Sequence, residues 1–73
     1  MSKLPSISGK ACIKALEKLG FYQKRQEGSH IIMRRDEPFL QVVVPNHPEI
    51  AKGTLRAIIR DLGLSIEEFV SLL

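Results

Sequence analysis

Two turn signals only two or three residues long, Glu27-Gly28 and Asp36-Glu37-Pro38, separate three stretches of strand character. A connection that short can only reverse the chain, because a parallel pair needs a crossover of a dozen residues or more. The three stretches are therefore expected to form two hairpins and one antiparallel meander. Phe21 to Gln26 opens on aromatic residues and alternates weakly. Ser29 to Arg35 contains Ile31, Ile32 and Met33, and Phe39 to Val44 ends in three consecutive valines before Pro45.

On either side of the meander the hydrophobic period changes to that of a helix. Between Ser8, a good N-cap, and Gly20, a good stop, Cys12, Ile13, Ala15, Leu16 and Leu19 form an apolar stripe. Lys10, Lys14 and Lys18 fall on another face at i, i+4, i+8. A loop with two prolines spans 45–52. Leu55, Ile58, Ile59 and Leu62 then repeat at helical spacing up to Gly63. Ser65 and Glu68 form a capping box that starts a last short helix carrying Phe69, Leu72 and Leu73. The expected fold is α+β: an α-β-β-β-α order with a short extra C-terminal helix, and a three-stranded antiparallel sheet covered on one face by helices.

At 73 residues this is one small domain, 1–73, and a chain of that length buries only about 60% of its unfolded surface. A surface site or a binding face is therefore expected ahead of a deep pocket. A single cysteine, Cys12, excludes an internal disulfide framework and fits a reducing compartment. No apolar run approaches the roughly 20 residues of a membrane helix. The start, Met1 to Pro5, has no signal-peptide core behind it, so a soluble, cytoplasmic protein is expected.

Charge is unevenly spread. Residues 1–35 hold eight cations against Glu17 and Glu27, a net +6; residues 36–73 hold three cations against six anions, a net −3. This is either ordinary solvated charge or a basic face for a polyanion, and charge alone does not separate RNA, DNA and an acidic protein.

Two histidines, His30 and His47, are the main candidates for chemistry. The antiparallel meander brings the start of the second strand toward the end of the third, so the two histidines could be near each other. A metal site would want a third ligand, and Cys12 sits on the apolar helical stripe, so neither a metal nor a cofactor is expected. The same placement marks Cys12 as a small hydrophobe instead of a nucleophile. Ser29 and His30 are adjacent on a strand and would point to opposite faces, which disfavours a dyad. One reaction does suit a lone histidine among cations. RNA carries its own nucleophile, the 2′-hydroxyl, so cleavage needs a base for that proton and cations for the phosphorane charge. On residues alone, a structural or surface histidine is the first reading of His30 and a base the second.

Gly28-Ser29-His30 after Arg25-Gln26, then Val44-Pro45 and His47, then Lys52-Gly53-Thr54-Leu55-Arg56, resemble the HicA (YcfA-like) family. The resemblance runs from Ser8-Gly9-Lys10 to Leu64-Ser65, and it is the order and spacing of the motifs that are specific. It implies a fold similar to a double-stranded RNA-binding domain and the toxin half of a type II toxin–antitoxin pair. It further implies mRNA cleavage by an endoribonuclease and a HicB-like antitoxin partner that covers the catalytic histidine. By its place after Gly-Ser that histidine corresponds to His30. Lys24, Arg25 and Arg34 are then the nearest cations in sequence for RNA, with Lys10, Lys14 and Lys18 as a guiding row. Pro48 departs from the family, where many relatives have glycine after the second histidine, and His47 is assigned no role. The alternatives are a non-catalytic RNA-binding module of the same fold and a protein-interaction domain.

Overall fold

The computed structural model describes residues 3–73; Met1 and Ser2, the start of the segment read as lacking a leader, lie outside the described residues. The chain runs α1 (Gly9–Glu17), β1 (Tyr22–Glu27), β2 (His30–Asp36), β3 (Phe39–Pro45), α2 (Lys52–Asp61) and α3 (Ile66–Val70). The strands form one antiparallel sheet in the order β1-β2-β3. This is the expected α+β architecture.

Local chemistry sets the boundaries. The Ser8 hydroxyl accepts from the Ala11 amide at 3.1 Å at the start of α1, a cap that contributes about 1 kcal/mol. Gly20, at φ +91°, ends the first helical segment, and the Phe21 amide folds back onto the Leu16 carbonyl at 3.1 Å. At α3 the Glu68 amide donates to the Ser65 hydroxyl at 3.0 Å, while the Ser65 amide donates to the Glu68 carboxylate at 2.7 Å. The turn between β1 and β2 is Gly28-Ser29, with Gly28 at φ +60°. Glycine first in a two-residue loop is the requirement of a type II′ hairpin. Ser29 is thus a turn residue instead of a strand residue, and alternation says nothing about where its side chain points.

The core lies on one face of the sheet. Ile31, Met33, Val42 and Val44 point at Cys12, Ala15 and Leu16 of α1, Leu55, Ile58 and Ile59 of α2, and Phe69 of α3. Phe21 and Ile50 complete it from the segments beside the sheet. Cys12 is fully buried, and burial pushes its thiol up to about 11. It stays protonated near neutral pH and acts as packing.

Cross-strand partners share a face, so the register defines the uncovered side. Tyr22, Arg34 and Gln41 form one row, Arg25, Ile32 and Val43 the next, and Glu27, His30 and Pro45 the last. Strict alternation from Tyr22 would place Lys24 and Gln26 on this side. A β-bulge between Gln23 and Arg25 inserts Lys24 as an extra residue and shifts the phase, so Arg25 and Glu27 take those places. Ile32 is buried yet stands apart from the core cluster, between Arg25 and Val43 in the middle row of the uncovered face.

Candidate functional site

His30 is the first residue of β2, exposed, with Glu27 on one side and Pro45 on the other. His47 lies two residues beyond Pro45 in the loop before α2. The two histidines line one surface cleft of about 360 Å³ with Val43, Pro45, Ala51 and Thr54. That size is at the lower end of the roughly 300–1,000 Å³ typical of ligand clefts.

Two backbone hydrogen bonds hold this arrangement. The Asn46 amide donates to the Ser29 carbonyl at 2.6 Å, and the Gly9 amide donates to the His47 carbonyl at 2.9 Å. The first ties together the residues immediately preceding the two histidines. The second fastens the His47 segment to the start of α1. Gly9 is required there for space: a Cβ on it would press against the Pro45 carbonyl oxygen and lie 2.9 Å from the Asn46 Cα. Lys52 Nζ donates to the Leu4 carbonyl at 3.2 Å and the Ser6 hydroxyl at 2.8 Å, binding the N-terminal segment to the start of α2.

The structure brings some of the sequence-predicted cations near His30 and separates others. Arg25 shares the uncovered face, one row from His30, and is ion-paired with Glu27 at 2.7 Å with both side chains well exposed. Such an exposed pair contributes at most about 1 kcal/mol, so Arg25 can exchange this partner for a phosphate at little cost. Lys24 is the bulge residue. Arg34 is four residues along β2 from His30, roughly 13 Å at strand rise. Its Nε donates to Asp36 at 3.0 Å and its guanidinium stacks 5.1 Å from the Phe39 ring centroid. Arg34 belongs to the far end of the sheet.

The lysine row of α1 is exposed as expected but serves different neighbourhoods. Lys10 lines a recess with Ser8, Asn46, His47 and Pro48, which shares His47 with the histidine cleft. Lys14 and Lys18 border an apolar groove with Ile7, Ala11, Ala15, Leu72 and Leu73, and Lys18 Nζ donates to the Leu72 carbonyl at 2.7 Å. Of the four aromatic residues, Phe21 and Phe69 are core, while Tyr22 and Phe39 are exposed at the end of the sheet away from His30. The Tyr22 hydroxyl is engaged with Asp36 at 3.0 Å.

The residues that sequence reasoning missed are Gly9 and Asn46, which work through backbone geometry. The Ser8-Gly9-Lys10 start was visible, but nothing in it announces a close approach to β3. Among the described residues no three His, Cys, Asp or Glu side chains gather as metal donors, and no helix is long and apolar enough to cross a membrane.

The fold and site together define a class: a small α+β domain with helices on one side of a three-stranded meander and both its histidines in a surface cleft. Residues 9–64 match the family of the HicA toxin of bacterial toxin–antitoxin systems. That is well over half of the 73 residues, and the chain belongs to the HicA toxin family. It is accordingly a toxin component, and the family implies an antitoxin partner. No match was found among curated proteins.

Proposed function

We propose that the chain is an endoribonuclease that cleaves mRNA in the cytoplasm, uses His30 as its acid–base residue, and is held inactive by a HicB-like antitoxin. The observation that carries this reading is the exposed His30 lining a surface cleft with His47, with Arg25 one row away on the same sheet face and Lys10 in a recess that shares His47. RNA needs little from such a site. Its 2′-hydroxyl is the nucleophile, a positioned imidazole accelerates proton transfer by about 10²–10⁴, and cations stabilise the phosphorane. All of this fits on a shallow surface, which is what a domain of this size offers. A toxin whose catalytic group is exposed is silenced by a partner that covers it.

The test is direct. Purified protein incubated with single-stranded mRNA in EDTA is expected to cut it and leave 2′,3′-cyclic phosphate ends, identified by end-labelling. Activity that disappears on chelation and returns with a divalent ion would overturn the mechanism.

RNA binding is expected to be salt-dependent, each phosphate contact on a single strand contributing about −0.7 to the log–log slope. Changing Lys10, Lys14 and Lys18 together to Gln should weaken binding and flatten that slope. Among the single changes Lys10→Gln should have the largest effect and Lys18→Gln the smallest, since Lys10 adjoins the cleft and Lys18 is tied to Leu72. A slope unchanged in the triple variant would make the row a solvated face only.

A further inference from the structure

RNA transesterification needs two proton transfers, one from the attacking 2′-oxygen and one to the departing 5′-oxygen. His30 accounts for the first. We propose that His47 accounts for the second, as the general acid of a two-histidine pair; the inference rests on the ribonuclease reading. Three observations carry it. Both histidines line the same cleft of about 360 Å³. The residues preceding them, Ser29 and Asn46, are joined by a 2.6 Å backbone hydrogen bond, so the two side chains leave one shared frame. The His47 carbonyl is pinned in turn by the Gly9 amide at 2.9 Å. His47 is therefore held on the scaffold instead of hanging from a free loop.

The step balances without any co-reactant. The 2′-oxygen bonds to phosphorus as its proton passes to the neutral His30 imidazole. The bond from phosphorus to the 5′-oxygen breaks as the His47 imidazolium gives that oxygen its proton. The products are a 2′,3′-cyclic phosphate and a 5′-hydroxyl, with the two histidines left in exchanged protonation states. Histidine is suited to both roles because its neutral and charged forms are each accessible near neutral pH. His30 enters from the strand side and His47 from the loop beyond its cross-strand partner Pro45, so the pair can flank a phosphodiester lying between them.

The experiment removes the need for an acid. The bond cut by the wild-type protein is first mapped in a single-stranded oligoribonucleotide. The same oligonucleotide is then made with sulfur in place of the bridging 5′-oxygen, a leaving group that departs as thiolate. His47→Ala is expected to cleave the ordinary RNA about 10²–10⁴-fold more slowly than wild type, and the thio-substituted RNA within about tenfold of it. His30→Ala should be inactive on both. His47→Gln, which keeps a polar side chain of similar size, serves as the second variant, and an unchanged melting temperature shows that its fold is intact. Equal losses of His47→Ala and His47→Gln on both substrates, or wild-type rates on both, would overturn the assignment. So would rescue of His30→Ala by sulfur. A wild-type protein that cuts neither substrate would instead overturn the ribonuclease reading itself, and the assignment with it.

Discussion

His30→Ala is expected to abolish RNA cleavage and growth arrest while leaving the domain folded. His30 is exposed at the first position of β2, and its place in the ladder is set by backbone pairing with Glu27 and Pro45, which alanine retains. None of the core residues loses a neighbour on that account, since the core is on the opposite face. The stability change should stay within roughly 1 kcal/mol, whereas loss of a positioned proton acceptor costs about 10²–10⁴ in rate. Thermal unfolding and cleavage measured on one preparation separate the two effects. A variant that melts as wild type and does not cut confirms the role. A variant that melts as wild type and cuts at the wild-type rate removes His30 from the mechanism, whereas a wild-type protein that binds RNA without cutting it would leave an RNA-binding module. Ser29→Ala should be milder, because it is the Ser29 carbonyl, not its side chain, that accepts from Asn46. Antitoxin binding should survive His30→Ala, since the energy of a broad interface is not carried by one exposed side chain alone.

The second large effect falls on stability. Gly9→Ala places a methyl group against the backbone of Pro45 and Asn46, and backbone cannot rotate away as a side chain can. Either α1 tilts off the sheet or the end of β3 moves, and both disturb the packing of Cys12, Ala15 and Leu16 on Val44. Overpacking of this kind costs about 3 kcal/mol at the upper end of its usual range. For a domain of this length that lowers the melting temperature by roughly 15 °C. The 2.9 Å bond from Gly9 to His47 lies in the strained region, so cleavage by the folded fraction should fall as well. Gly53→Ala is the matched control, with open space around the new methyl group and a gain in helix propensity. Equal melting temperatures for Gly9→Ala and wild type would show that the approach of α1 to β3 yields without cost.

The sequence by itself determined the elements and their order. Short turns required hairpins, the change from strand to helical spacing marked where the sheet begins and ends, and Ser8 and Ser65 were recognisable as caps. These signals are local, involving residues within a few positions of one another, so the chain displays them directly. The motif order also carried the family and singled out His30. What the tertiary structure alone decided was which residues meet. The bulge at Lys24 reverses the phase of β1 and brings Arg25 and Glu27 onto the face of His30, against plain alternation. The lysine row, regular along α1, is divided because its two ends face different neighbours: Asn46 and His47 at Lys10, and Leu72 at Lys18. The contact at Gly9, and the single cleft lined by the two histidines that the meander already set near each other, depend on how closely α1, the β1–β2 turn and the end of β3 approach one another. Those distances are set by packing between segments up to about forty positions apart in the chain, and no spacing within any one segment encodes them.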